Sequence, residues 1–226
     1  MVAPFKYDES NKSKHRYYEN PDKGVSYKAE LSLSMKGDKQ NVSVVTLNVK
    51  KLGETKSKEG NADETLQKIV NMAEKYKAAT YENNNTIFFI LAPTKTKTFK
   101  NERTALDIAQ KIKEILLYHN KMFKQKINFG ISLNYGTIIA KQEAGTLKFM
   151  SMGTLMTAAK RISALANDDI LLGEKMNDRL RSDVKTTKHE KNNNRVYSIK
   201  EIKKNEDHRK FIRDVLNRIE SDKRKK

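Results

Sequence analysis

Few side chains in this sequence have both the type and the spacing to do chemistry. There is no cysteine among its 226 residues, which excludes a thiol nucleophile, a disulfide framework, Cys-ligated zinc and an iron–sulfur cluster. The four histidines, His15, His119, His189 and His208, lie far apart and lack metal-ligand spacing. No GxxxxGK[ST] phosphate loop, GxSxG nucleophile elbow or HExxH helix occurs. No strand carries the aromatic pattern with which an RNA-recognition sheet stacks bases. What is abundant is cation: 46 Lys and Arg against 28 Asp and Glu, a net charge of +18. Such a balance raises encounter rates with any polyanion, whether nucleic acid, anionic lipid or nucleotide.

That charge is spread along the chain. Residues 1–40 carry 8 basic and 6 acidic groups and residues 201–226 carry 10 and 6, which leaves +12 of the +18 in residues 41–200. A specific polyanion binder groups its charge into a patch, so an even spread is read first as a solvated, Lys-rich surface. The closing KRKK run (Lys223 to Lys226) could touch membrane or nucleic acid; the simpler reading is a solvated tail behind a helix packed on the domain. Hydrophobic residues make up 37% of the chain, enough for a core and too many for wholesale disorder. The longest apolar run, Ile87 to Ala92, is far too short to cross a bilayer. The N-terminal MVAPFKYDESNKSKHR lacks the apolar core of a secretory signal. The expectation is a cytoplasmic chain without a transmembrane segment.

The elements that would position any site follow from periodicity. Residues 1–40 form a polar N-terminal extension in which Glu30 to Met35 alternates weakly, as an edge strand would. Asn41 to Val49 is β-branched and reads as a buried strand; a loop with Gly53 and Gly60 follows. Asp63 is the expected N-cap of a helix running to about Ala78. Ala78 to Glu82 and Thr86 to Ala92 form a hairpin turning at Asn83, Asn84 and Asn85, since Asn tolerates the left-handed conformation, and Pro93 closes its second strand. Glu102 to Phe123 is a long amphipathic helix. Ile127 to Leu133, Gly136 to Lys141 and Leu147 to Met152 are expected strands, and Leu155 to Ala166 a helix. Asp169 to Gly173 is a short strand and Glu174 to Arg181 a short helix. Val184 and Arg195 to Ile199 flank a polar turn, KTTKHEKNNN, as a final hairpin. Residues 201–226 form a basic C-terminal helix and tail, with Phe211, Ile212, Val215, Leu216 and Ile219 apolar between Asp207 and Glu220. The order β-α-β-β-α-β with additions predicts an α+β fold, a ferredoxin-like core sheet with helices on one face.

Five segments then carry a resemblance. Gly130 to Ala140 reads GISLNYGTIIA and Gly153 to Ala166 reads GTLMTAAKRISALA; Val44 to Leu52 (VVTLNVKKL) and Asn84 to Leu91 (NNTIFFIL) precede them, and VYSI (Val196 to Ile199) ends the series. In this order and spacing, over about residues 41–200, the chain resembles the class III adenylate/guanylate cyclase catalytic domain, with its GIxLHxGxVxxG, GxxVNxAARLxxLA, FxDIxGFT and GDGxLAxF motifs. The resemblance implies a head-to-tail dimer with nucleotide sites shared between protomers. It also implies two Mg²⁺ or Mn²⁺ ions held by an Asp of the first strand and an Asp of the hairpin turn. An Asn and an Arg from the partner's helix would stabilise the transferring phosphorus, and a Lys with an Asp or Thr would read the base.

Position by position, most of that set is absent. The two metal positions fall on Asn48 and Asn85, whose amides supply no negative charge. The transition-state positions fall on Thr157 and Arg161, of which only the arginine matches; its bland reading is a surface Arg on an amphipathic helix. The base-reading positions fall on Tyr81 and Met150. Without carboxylates, the old phosphate site becomes more positive, and Lys50 and Lys51 beside Asn48 would pair with phosphates directly. The expected function is therefore a degenerate, dimeric, non-catalytic nucleotide-binding or regulatory signalling module, a pseudoenzyme that takes ATP or GTP and needs no cofactor. Mg²⁺ or Mn²⁺ enters only if the chain is active. The alternatives are the Arg-supplying half of a heterodimer with another cyclase-like chain, a divergent active cyclase, and a binder of nucleic acid or anionic membrane.

Overall fold

The computed structural model describes residues 37–52, 61–143, 146–151, 153–191 and 194–203. The expected edge strand at Glu30 to Met35, the glycines of the loop at Gly53 and Gly60, and the C-terminal helix with its KRKK run lie outside the described residues. No helix among the described residues is long and apolar enough to cross a membrane.

In chain order the elements are β1 (Asp38–Leu52), α1 (Ala62–Lys75), β2 (Ala79–Asn83), β3 (Thr86–Leu91), α2 (Pro93–Thr96), α3 (Glu102–Met122), β4 (Ile127–Glu143) and β5 (Thr146–Ser151). Then follow α4 (Gly153–Leu165), β6 (Ile170–Gly173), α5 (Glu174–Arg179), β7 (Val184–Lys191) and β8 (Asn194–Ile202). The strands form one sheet of order β2-β3-β1-β4-β6-β8-β7, with β5 paired to the far end of β4. The β2-β3-β1-β4 half is antiparallel throughout, which is the ferredoxin-like arrangement of two βαβ units. The β4–β6 pair is parallel.

Alternation along β1 explains the layering. Val45 and Leu47 point to one face, where they join Phe89, Phe129 and Ile131 under Ile69 of α1 and Ile108 and Ile112 of α3. The two helices of the core therefore share a face, as expected. Val42 and Val44 point the other way and meet Phe88, Ile90 and Ile138 under Met156 and Ala159 of α4. The later helix α4 thus covers the opposite face. A central strand buried on both sides needs apolar residues at every position, and β3 (TIFFIL) is buried along its whole length.

Several local expectations change. Asp63 is not the cap of α1: Asn61 occupies that position, without a side-chain cap bond, and Asp63 lies in the first turn, where a carboxylate meets the positive end of the helix dipole. Pro93 opens the short helix α2, where its missing N–H is not needed. The two strands expected at 127–133 and 136–141 are one continuous strand, because β1 is long enough to pair with it from Asp38↔Ala140 to Leu52↔Ile127. The polar KTTKHEKNNN run is strand through Lys191, the greater part of β7. A sheet edge accepts alternating Lys and Thr, and its charges discourage pairing with other chains.

Candidate functional site

The end of β1 and the β2–β3 turn lie side by side. Asn48 pairs with Thr86 across the ladder, and the Val49 amide donates to the Asn85 carbonyl at 2.8 Å. The turn closes in two residues, Asn84 and Asn85, with Asn84 left-handed at φ 53°. This geometry brings the Asn85 side-chain amide against Asn48: Nδ2 donates to Asn48 Oδ1 at 3.2 Å and to the Val49 carbonyl at 3.1 Å. The Thr86 hydroxyl donates to Asn85 Oδ1 at 3.4 Å. Asn48 is 5% exposed.

The pair is a closed hydrogen-bonded unit. A carbonyl can only accept, so Val49 fixes the nitrogen of the Asn85 amide toward β1, and Asn48 Oδ1 already accepts one hydrogen bond from it. A divalent cation wants anionic oxygen ligands. Here it would meet neutral amides and an N–H donor, so this donor set does not fit Mg²⁺ or Mn²⁺. Among the described residues no group of three or more His, Cys, Asp or Glu side chains converges elsewhere to hold a metal.

Beside the pair opens a cleft of about 600 Å³ between β1, the hairpin and α1, lined by Lys50, Asp63, Gln67, Glu82, Asn84 and Asn85, among others. Lys50 is exposed and its Nζ donates to Asn167 Oδ1 at 2.6 Å, beyond α4. Lys51 belongs to β1, but its side chain lies outside the described ones. The same is true of Met150 in β5. Tyr81 does not point freely into solvent; it is half-buried on the α4 side of the sheet, with its ring 5.9 Å from that of Phe88. Thr157 and Arg161, four residues apart, lie on the exposed face of α4. The structure therefore joins Asn48, Asn85 and Lys50 in one place and leaves Arg161 facing outward.

Sequence reasoning missed three participants. Asp63 and Glu82 place carboxylates in the cleft beside Lys50, and Lys160 of α4 reaches Asn83 Oδ1 at 3.4 Å. These approaches span large sequence separations, and no local pattern announces them.

The fold can be compared with solved structures. The adenylyl cyclase CyaB of P. aeruginosa superposes with a TM-score of 0.62 at 9% identity, over 75% of this chain and 98% of that one. The guanylyl cyclase domain of the RhoGC fusion protein of the aquatic fungus Blastocladiella emersonii gives 0.58 at 16% identity, over 74% and 99%. The guanylate cyclase domain of RhGC from Catenaria anguillulae, solved with GTP, gives 0.57 at 15% identity, over 74% and 100%. The fold is that of a nucleotidyl cyclase catalytic domain. No protein-family model and no curated protein matches the sequence. At such identities the likeness establishes the cyclase-like fold alone.

Proposed function

We propose that this chain is a cyclase-like domain that binds a nucleotide or a partner in a regulatory role, as a dimer, without turning the nucleotide over. The observation that carries this reading is the Asn48–Asn85 amide pair at the place where two carboxylates would have to stand. Cyclisation of a nucleoside triphosphate needs charge neutralisation on the phosphates, and two amides bonded to each other supply none. Lys50, which lines the same cleft as Asp63 and Glu82, is the cation offered to the phosphates in place of a metal. ATP or GTP then binds by direct charge pairing, and EDTA leaves its affinity unchanged.

The first test is incubation of the purified protein with ATP or GTP and Mn²⁺ or Mg²⁺, followed by mass spectrometry for a cyclic product, with Arg161→Ala as control. The expected outcome is no product. Product that disappears in Arg161→Ala would overturn the reading. Calorimetry with each nucleotide, with and without EDTA, examines the binding half; no heat with any nucleotide removes it.

A second reading rests on Arg161, which is exposed and makes no hydrogen bond or ion pair with any described residue. An arginine held out on a helix is available to a neighbouring protomer's phosphates. On this reading the chain supplies the Arg to a cyclase-like partner that carries both metal carboxylates. Mixing the two then generates cyclic product, and Arg161→Ala abolishes it.

A further inference from the structure

Between Asn83 and Asn101 the chain holds three lysines and no carboxylate. The same stretch carries the most exposed large hydrophobic residue among those described, Phe99 at 88%. Pro93 to Asn101 reads PTKTKTFKN, so Lys95, Lys97 and Lys100 surround the phenylalanine. A single exposed aromatic is ordinary. What singles this one out is how the loop is held and which charges stand around it.

The loop is anchored at both ends. Pro93 opens the single turn α2, and the Thr94 hydroxyl donates to Gln40 Oε1 of β1 at 2.8 Å. The Thr96 hydroxyl donates to the Ala92 carbonyl at 3.0 Å. Lys97 then turns left-handed at φ 62°, with its amide donating to the Pro93 carbonyl at 2.8 Å. On the far side Asn101, 2% exposed, donates from its side chain to the Thr98 carbonyl at 2.9 Å. Phe99 therefore stands at a tip between two fixed points, and a contact made there costs little ordering entropy.

The charge around the tip is mostly of one sign. Lys95 Nζ donates to the Ala78 carbonyl at 2.9 Å, which brings the loop against the end of α1, where Lys75 and Lys77 are exposed. The ammonium groups of Lys75, Lys77, Lys97 and Lys100 form no ion pair or hydrogen bond with any described residue. Glu74 is the carboxylate of that helix end; Glu102 and Asp107, the next ones along α3, are paired with Arg179 and Arg103. Lysines around an outward aromatic match an anionic lipid surface. The potential of such a surface decays within a Debye length, about 8 Å at physiological salt, so ammonium groups count most at a protruding tip. An aromatic side chain enters the boundary between headgroups and acyl chains. A single-stranded nucleic acid is met by a groove with successive stacking rings, and this loop carries one ring.

We propose that the Pro93–Asn101 loop docks on an anionic lipid surface, Phe99 entering the acyl boundary while Lys97 and Lys100 lie among the headgroups. The loop follows β3, at the opposite end of that strand from the Asn48–Asn85 pair, so the contact does not depend on a nucleotide in the cleft. The chain contains no tryptophan, and Phe99→Trp places a single reporter at a position exposed enough to tolerate it. With vesicles of phosphatidylserine and phosphatidylcholine its emission shifts to the blue and is quenched by brominated acyl chains, and phosphatidylcholine alone has no effect. Lys97→Gln/Lys100→Gln in that background weakens the vesicle affinity about 25-fold, at about five-fold per lysine. In the parent chain Phe99→Ser weakens co-sedimentation with the same vesicles about ten-fold or more and leaves the melting temperature unchanged.

No blue shift with anionic vesicles overturns the proposal. So does sedimentation that neither Phe99→Ser nor the lysine pair weakens, which places the contact elsewhere on the chain. Quenching of the tryptophan by single-stranded DNA, with no response to vesicles, overturns it in favour of a nucleic acid.

Discussion

At the scale of single residues, the Asn48–Asn85 contact determines what the site can hold. Replacing both by aspartate sets two carboxylates at about the separation of the present amides, where like charges cannot both ionise without cost. The double variant Asn48→Asp/Asn85→Asp is therefore expected to lose about 1–3 kcal/mol of stability in EDTA and to regain it with Mn²⁺. The unsubstituted protein should show no shift in melting temperature with Mn²⁺, because binding stabilises only where there is affinity. Thermal melts of both proteins with and without the ion decide the matter.

His119 is a different kind of residue. It is 1% exposed, with Nε2 2.8 Å from the Gln125 carbonyl and Nδ1 2.8 Å from the Thr65 hydroxyl. A carbonyl accepts only, so Nε2 donates to it, while Nδ1 pairs with the threonine hydroxyl. The ring thereby ties α1 to the end of α3. Thr65→Val leaves Nδ1 buried without a donor, and the expected loss is about 1–3 kcal/mol, measured by urea unfolding.

Asp107 carries a pH dependence. Burial holds its carboxyl above the ordinary 3.8, against the pull of Arg103, 3.3 Å away, and of Lys111. The folded state thus binds this proton more tightly than the unfolded chain does. This carboxyl's contribution to stability is full below its ordinary value and falls away as pH rises through its raised one. Asp107→Asn should therefore gain on the parent protein as unfolding is followed upward from pH 3 to pH 6. Parallel curves would refute the assignment.

At the scale of elements, two glycines separate close packing from turn geometry. A Cβ on Gly130 would lie 2.1 Å from the Ser163 carbonyl oxygen and 2.6 Å from that of Ala166. Both are backbone atoms, so the end of α4 must move off β4. Gly153 is left-handed at φ 52° with open space around it, and there only the conformational penalty remains. Gly130→Ala should cost about 3 kcal/mol or more, by analogy with overpacked cores, and Gly153→Ala about 1–2 kcal/mol. Denaturant midpoints of the two variants should fall in that order. Both glycines were visible as parts of sequence motifs, but the reason each must be glycine lies in a contact for one and a dihedral for the other. The polar run that became β7 makes the converse point. Its residues look like a turn because strand signals assume a buried face, and an edge strand has little of one.

At the scale of the whole molecule, the net charge of +18 predicts salt-sensitive encounter with any polyanion. A specific nucleotide site should survive moderate salt better than nonspecific nucleic-acid binding, whose affinity falls steeply with ionic strength. Calorimetry with ATP, set beside binding to a DNA duplex, at about 50 and 200 mM salt separates the two: the expected result is a drop of about 10³-fold or more for any duplex binding and far less for ATP.

Sequence alone determined most of the order of strands and helices, the core β-α-β-β-α-β above all, because hydrophobic period 2 or 3.6 is a local property that each segment carries with it. It also determined that residues 48 and 85 are amides and that thiol chemistry is absent, since both are matters of residue identity. Tertiary structure alone decided that 127–143 is one strand, since only a partner as long as β1 holds it straight. It decided that α4 covers the second face of the sheet, since which face a helix joins depends on a connection that no period encodes. It decided, too, that Asn48 and Asn85, 37 residues apart, bond to each other. A hydrogen bond between distant residues exists only once the register of β1 against β3 is set, and that register is a property of the folded sheet.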